Sequence, residues 1–409
     1  LVKLIFQLCK IMKFEISFEN FIYRGEGRSN RVYSFLKDDF WYVLRVPKSY
    51  FGEEGSNIDV YWNYLYYEKF IHPRFYYWHV PDVSLIKLTL NVIPDSLAYS
   101  ANVVVDSDEG DWGMMMPDMC YIREHSYKSN YDVLTVELKP KQGCLSEELQ
   151  RLSPYCENCL LQIMKHSNGR YSEMYDFCPM DIYSDNPTRM EIALEALLLH
   201  PHNNLKIFKN GNLILSNDEN NLHQNKLFCC KQANEVHSFA QIITKILLYQ
   251  RKCSESLTSQ NAEDYDVTLL KQILKLQKKN KLSPFQLSNL VKEFDCMNTE
   301  SWLKHLETMV TSQINERSAM LDAVIAATVR DCSVMMTFII CDEICNMPQC
   351  EEFQLDCGCW VIFRIALIDL DIKSPSKLVH YGNRLLEAIE YTEKNNYSSI
   401  RPPCMKPST

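Results

Sequence analysis

The segment that most restricts the fold lies near the start of the chain, where three β-rich runs alternate with two turns. Phe21-Ile22-Tyr23, Val32 to Leu36 and Trp41 to Val46 have strand composition. Gly25-Glu26-Gly27-Arg28-Ser29-Asn30 separates the first two runs, and Lys37-Asp38-Asp39 the second two. Connections this short join antiparallel neighbours, so this region predicts a small antiparallel sheet with a glycine loop at one end. Gly25 and Gly27 leave backbone amides open to a phosphate, as the glycine-rich loop of kinases does. The third glycine of G-x-G-x-x-G is missing, and a glycine pair between strands equally serves as an ordinary turn. Arg45, on the third strand, stands where kinases place a cation against nucleotide phosphates; the alternative is a surface strand arginine.

Beyond the sheet, helical spacing runs from about Asn57 to Phe70, and residues 72–131 are poorly patterned. Val133 to Leu138 reads as a strand ended by Lys139-Pro140-Lys141-Gln142-Gly143. Proline keeps that segment extended, so the two lysines can point the same way. Helices are predicted from Pro154 to His166 and from Thr188 to His200, then a hairpin of Leu205 to Phe208 and Leu213 to Leu215 around Asn210-Gly211. Residues 235–330 are almost wholly helical in pattern, and strands Ser333 to Cys341 and Trp360 to Leu370 bracket a cysteine-rich connection. Residues 216–226 read as a surface loop.

With 409 residues, 46% of them hydrophobic, the chain can bury a large core divided between two lobes. A formal net charge of -9 opposes nonspecific attraction to nucleic acid or an anionic membrane, so a bound polyanion must meet a local basic pocket. The 17 cysteines are odd in number and sit in a long chain well supplied with core residues, which favours reduced thiols in a cytoplasmic or nuclear protein. Leu1 to Phe14 is apolar but interrupted by Lys3, Lys10 and Lys13, too short and too charged to span a membrane. Because the chain starts at Leu1, Met12 is the expected natural start, and residues 1–13 are read as a non-native or disordered leader.

Two aspartates carry the sharper chemical signal. Asp331 precedes one strand of the late hairpin and Asp369 closes the other. Phosphoryl transfer needs one carboxylate to orient and deprotonate the attacking hydroxyl and another to hold Mg²⁺. Turn or capping aspartates would give the same pattern. Lys139, Lys141, Lys206, Lys209, Lys373 and Lys377 flank these segments, and a compact phosphorylated substrate requires several such cations. Each taken singly reads as a solvated surface lysine. Cys156 and Cys159 form C-x-x-C, but no second pair follows at finger spacing, so a structural zinc is not expected.

Taken in order, these segments resemble the inositol-pentakisphosphate 2-kinase family. Tyr23-Arg24-Gly25-Glu26-Gly27 is similar to its G-E-G loop, and Val136-Glu137-Leu138-Lys139-Pro140-Lys141 to its V-E-I-K-P-K signature. Cys178-Pro179-Met180-Asp181-Ile182-Tyr183-Ser184 resembles C-P-L-D-L-Y-S, and the run from Asn203 to Gly211 resembles N-N-L-K-I-F-K-N-G. Arg330-Asp331-Cys332-Ser333-Val334-Met335 is similar to K-D-C-S-I-M, and Ile368-Asp369-Leu370-Asp371-Ile372-Lys373 to I-D-L-D-L-K.

The resemblance implies an α/β (α+β), two-lobed, kinase-like fold. Residues 14–138 would form a nucleotide-binding N-lobe, and residues 139–409 a C-lobe with a mostly helical inositol-binding insertion. It implies MgATP-dependent phosphorylation of the 2-hydroxyl of inositol 1,3,4,5,6-pentakisphosphate to hexakisphosphate (phytate) by an intracellular monomer with no nucleic-acid or membrane partner. Asp331 matches the catalytic base and Asp369 the magnesium ligand. Gly25, Glu26, Gly27, Asn30, Arg45 and Glu137 match nucleotide-site positions, with Glu137 in the adenosine pocket. Lys139, Lys141, Asn204, Lys373, Lys377 and Tyr381 match positions that hold the inositol phosphates, with Asn203 and Lys206 nearby.

Two departures stand out. Where the family carries an R-P-x-x-R-like stretch, this chain has Ile93-Pro94-Asp95-Ser96-Leu97-Ala98 with no arginine, leaving Arg123 as a replacement cation or that phosphate less firmly held. At Lys377 some members have arginine. Some members hold zinc, for which Cys296 and His305 are candidates by resemblance. The rival readings are an inositol-phosphate-binding pseudokinase and a kinase for another inositol phosphate. A protein substrate fits poorly because neither H-R-D nor D-F-G occurs.

Overall fold

A computed structural model describes residues 21–27, 29–51, 59–88, 112–122, 131–171, 174, 177–216, 235–251, 267–311, 315–343, 347, 349–395 and 404. The leader, residues 93–98 and Arg123 lie outside them. The described elements make an α+β chain with two antiparallel sheets and eleven helices.

The first sheet has the order β1-β2-β3-β5-β4, built from β1 (Ile22–Glu26), β2 (Asn30–Lys37), β3 (Phe40–Pro47), β4 (Ser84–Lys87) and β5 (Trp112–Pro117). Its second and third strands pair in register from Asn30–Pro47 to Lys37–Phe40, as the three-strand sequence pattern requires. Tyr33, Phe35, Leu44 and Val46 are buried together on this sheet. Against it lies α1 (Val60–Tyr66), whose N-terminus is capped by the Asp59 side chain accepting from the Trp62 N–H at 3.1 Å. The helical run expected to Phe70 continues as a wider π turn over Tyr67–Ile71.

The second sheet has the order β10-β11-β9-β6-β7-β8. Its strands are β6 (Leu134–Leu138), β7 (Leu205–Lys209), β8 (Asn212–Leu215), β9 (Ser333–Cys341), β10 (Glu351–Gln354) and β11 (Trp360–Ile368). The β7–β8 hairpin turns at Asn210 and Gly211, which have φ of +51° and +77°; the left-handed region is what an Asn-Gly turn supplies. Because β6 pairs with β7 and β9, it belongs to this second sheet. By sheet membership β6 goes with the second sheet, while β1 to β5 make up the first.

Helices cover the second sheet and extend from it: α2 (Glu147–Leu152), α3 (Glu157–Ser167), α4 (Pro179–Ile182), α5 (Pro187–Leu199), α6 (Glu235–Leu247), α7 (Leu269–Lys279), α8 (Pro284–Val291), α9 (Thr299–Thr311), α10 (Asn315–Arg330) and α11 (Pro375–Asn395). The last helix packs on α8 and α3. Gly382 permits the first of these contacts, since a Cβ there would lie 2.6 Å from Ser288 Oγ and 2.8 Å from the Pro284 carbonyl. Trp302 of α9 is almost fully buried and donates its indole N–H to the Lys373 carbonyl at 3.1 Å. Burying roughly 200 Å² of indole contributes on the order of 5 kcal/mol, and the hydrogen bond anchors the segment carrying Lys373. No helix among the described residues is long and apolar enough to cross a membrane.

Candidate active site

The site forms where β9 and β11 meet. Their register pairs Ser333 with Ile368, so Asp331, just before one strand, and Asp369, just after the other, emerge at the same end. Asp331 closes the last turn of α10, its N–H bonded to the Thr328 carbonyl at 3.1 Å. Asp369 has φ of +59°, a left-handed conformation unusual for a residue with a side chain, and Ser333 Oγ donates to its Oδ2 at 3.4 Å. Such backbone strain costs on the order of 1 kcal/mol and collects at functional positions.

Cations gather around Asp331. Lys141 Nζ lies 3.5 Å from its Oδ1 and Lys373 Nζ 3.4 Å from its Oδ2, while the Tyr381 hydroxyl donates to Oδ2 at 3.2 Å. Burial pushes the Asp331 carboxyl up, but Lys373, Lys141, Arg330 and Lys139 outweigh it and hold the group well below the usual carboxylate range. Lys141, with φ of +61°, is itself pushed down by burial and by the charges of Lys139 and Arg330, against the pull of Asp331. Burial pushes Lys139 down too, yet Asp369, Glu137 and Asp331 leave it raised. The Pro140 segment thus brings both lysines to the two aspartates, as the sequence pattern suggests.

Behind Asp331 opens a cavity of about 210 Å³, walled by α3, α11 and the Asn203-Asn204 turn. Lys141, Asn203, Asn204, Asp331 and Tyr381 line it, together with three cations that motif reasoning passes over: Lys165, Arg330 and Arg384. Burial, then Arg384 and Arg170, push Lys165 down to about 8. Its ammonium donates to the Tyr171 hydroxyl at 3.2 Å. Arg330 makes two hydrogen bonds to Glu157, at 3.1 and 2.9 Å, and lies 4.3 Å from the Tyr381 ring centre. Lys377, Tyr381 and Arg384 recur along α11 at helical spacing, the signal by which Arg384 could have been found. Lys377 Nζ sits 5.4 Å from the Tyr381 ring centre, outside the cavity wall. Lys206 is also away from it, 3.3 Å from Glu137 Oε2. Glu137 accepts from Ser333 Oγ at 2.9 Å, so its carboxylate braces the two-aspartate end of the sheet.

A second cleft lies between the sheets, lined by Arg45, Asn63, Met114, Met116, Asp369 and Asp371 among others. The Arg45 guanidinium is engaged in a two-pronged contact with Asp371, at 3.0 and 2.6 Å, joining β3 to the segment after β11. Asn63 of α1 donates to Asp371 Oδ1 at 2.8 Å and accepts from the Ile372 N–H at 2.9 Å. Burial raises the Asp371 carboxyl, but Arg45, then Lys373 and Asn63, bring it down to about 2. Gly25 has φ of +140°, and a Cβ there would meet no heavy atom within 4 Å, while the Gly27 N–H bonds the Asn30 carbonyl at 2.9 Å. The turn is therefore closed by Asn30 and open outward at Gly25. Glu26 pairs with Lys48 at 2.8 Å and Arg31 at 3.4 Å on the exposed rim.

An ionised aspartate ringed by lysines, at the mouth of a cationic cavity and beside a cleft between two sheets, is suited to a small polyanion. The chain belongs to the inositol-pentakisphosphate 2-kinase family, whose model matches residues 23–384. A zebrafish (Danio rerio) inositol-pentakisphosphate 2-kinase is 26% identical over 399 residues, covering 78% of this chain and 81% of its own. The Drosophila melanogaster protein of that name is 37% identical over 93 residues, 22% of this chain and 15% of its own. One from rice (Oryza sativa subsp. indica) is 21% identical over 321 residues, covering 75% and 70%.

Proposed function

We propose that this chain transfers the γ-phosphoryl group of ATP to the free 2-hydroxyl of inositol 1,3,4,5,6-pentakisphosphate. The observation that carries the reading is the placement of Asp331 between Lys141, Lys373 and Tyr381 at the mouth of the cationic cavity. With Lys141 and Lys373 paired to it, Asp331 is too weak a base to take a hydroxyl proton. Substrate phosphates that pair with Lys141, Lys373, Lys165 and Arg384 draw that positive charge away, so the carboxylate gains basicity when the polyanion is bound. Tyr381 keeps it oriented towards the reacting hydroxyl.

The nucleotide belongs in the cleft between the sheets, its phosphates under the Gly25–Asn30 turn. Asp369 and Asp371 supply the oxygen donors a hard divalent cation takes. Asp371 is already engaged by Arg45 and Asn63, which leaves Asp369 as the principal ligand. A magnesium ion held there would neutralise charge on the nucleotide phosphates. Arg45 then plays the part of a lobe-joining ion pair, as the strand lysine and helix glutamate do in protein kinases. The test is incubation of the purified chain with MgATP and inositol pentakisphosphate carrying a free 2-hydroxyl, with products resolved by chromatography. Hexakisphosphate is expected; its absence, or phosphorylation only of other inositol phosphates, overturns the assignment.

A further inference from the structure

One buried polar side chain lies outside the cavity wall yet grips the backbone of a lysine that faces Asp331. On α7 the inward face runs through Leu270 and Ile273, and helical spacing brings the next inward position to 277, where a glutamine stands instead of an aliphatic side chain. Gln277 is only 1% exposed, and both ends of its amide are engaged. Its Oε1 accepts the Gly143 N–H at 2.8 Å, and its Nε2 donates to the Lys141 carbonyl at 2.9 Å. The Tyr183 hydroxyl donates to the same carbonyl at 3.3 Å.

The Lys141 backbone needs such a grip. The Lys139 N–H still bonds the Asn204 carbonyl at 2.8 Å, but beyond it the chain leaves β6, and Pro140 has no N–H to offer. Lys141 then turns with φ of +61°, the left-handed region that a residue with a Cβ enters only when its surroundings hold it there. Two residues on, Gly143 passes so close to Tyr183 that a Cβ would stand 2.3 Å from the ring. Buried amides and carbonyls in a turn of this kind must find side-chain partners. A primary amide supplies an acceptor and a donor at once, whereas a carboxylate only accepts and an aliphatic chain does neither. The turn so fixed delivers the Lys141 ammonium to within 3.5 Å of Asp331 Oδ1.

We infer that Gln277 is a positioning residue for phosphoryl transfer, fixing the turn from Lys141 to Gly143 so that the Lys141 ammonium faces Asp331 at the mouth of the cavity. The inference rests on the reading of Asp331 and the cavity as the reacting centre. Gln277 acts through Lys141. Without the amide the turn can relax out of the left-handed conformation and carry the ammonium away from Asp331 and from the phosphates it would meet there. A misplacement of about 1 Å at a reacting centre costs about 10²-fold in rate.

The experiment is a double-variant cycle on the full chain with MgATP and inositol pentakisphosphate, comparing the wild type, Gln277→Met, Lys141→Met and the two together. Gln277→Met should lower kcat/KM for the inositol phosphate by about 10–100-fold and leave KM for MgATP unchanged. Placed on Lys141→Met, the same substitution should cost little more, because the group it positions is already gone. Ser283→Ala, which removes the cap of the adjoining α8, should lower the thermal midpoint and leave the kinetic constants as they are. Should Gln277→Met fold poorly, Gln277→Glu keeps the acceptor for Gly143 and removes only the donor to Lys141, and the same lack of additivity is expected. Wild-type kinetics in the folded variant, or its full loss repeated in the Lys141→Met background, overturns the inference. A wild type that makes no hexakisphosphate overturns the kinase reading instead, and the crystal structure of the Gln277 variant then decides. Lys141 is expected out of the left-handed region and away from Asp331; its retention in both places overturns the inference.

Discussion

Replacing Arg45 with methionine removes one half of the ion pair that joins the two sheets and leaves Asp371 with Asn63 as its remaining short-range partner. The Arg45 side chain is 13% exposed and that of Asp371 21%, so solvent can replace little of the lost cation. Stranding a buried charge in this way costs about 3–5 kcal/mol. The charge part has a ceiling set by protonation: from an ordinary value of 3.8, neutralising Asp371 costs about 4 kcal/mol at pH 7 and about 1 kcal/mol at pH 4.5.

The sign follows. In the wild type the carboxyl is depressed to about 2, so its contribution is present above the unfolded value and lost only as pH falls through the folded one. In Arg45→Met the folded value is raised, so the deficit is largest near neutral pH and shrinks on acidification. Urea unfolding at about pH 7 and about pH 4.5 measures both. The double variant Arg45→Met/Asp371→Leu should recover most of the loss, because a buried pair replaced by apolar side chains is often close to neutral. A deficit independent of pH, or a double variant as unstable as the sum of the singles, would refute the reasoning.

Asp331→Asn should cut turnover by about 10²–10⁴-fold while calorimetry finds substrate affinity undiminished; unchanged turnover removes Asp331 as the base. Lys165→Met and Arg384→Met should each weaken inositol pentakisphosphate binding by about 10–100-fold, the worth of a charge-assisted hydrogen bond, with kcat changed far less. Because Lys165 titrates at about 8, it is cationic below that pH and neutral above it, so affinity should fall as pH rises through 8 in the wild type but not in Lys165→Met. Gly143→Ala would put a Cβ 2.3 Å from the Tyr183 ring, and it should cost about 1–3 kcal/mol in urea unfolding while disturbing the neighbouring Lys141.

Much of this architecture is written locally. The alternation over β2 and β3, the Asn210-Gly211 turn and the strands flanking the cysteine-rich connection follow from side-chain period and turn chemistry, which act between residues near in sequence. Asp331, Asp369, Lys139 and Lys141 were legible for the same reason: each stands where a proline, a strand end or a helix end marks it. The helical run ending at Phe70 was visible, but its passage into a π turn over Tyr67–Ile71 was not, because a single turn with i→i+5 bonding has no sequence period of its own.

Tertiary structure decided the pairings. Arg45 reads as a strand cation, and only the fold sets Asp371, 326 residues away, against it. Lys165 and Arg384 look like solvated surface charges until α3 and α11 pack together and turn them into one cavity. The C-x-x-C at Cys156 and Cys159 stands by itself in the sequence, and only the fold brings the Cys178 and Cys404 sulfurs within 4.8 Å of theirs. In each case the partners are separated by long stretches of chain, and no periodicity or spacing rule acts over such distances. The sequence by itself determined which groups of the right chemistry exist and which local elements carry them. Packing of the two sheets and the late helices determined which of those groups share a low-dielectric site, where their charges and ligand atoms act on one another.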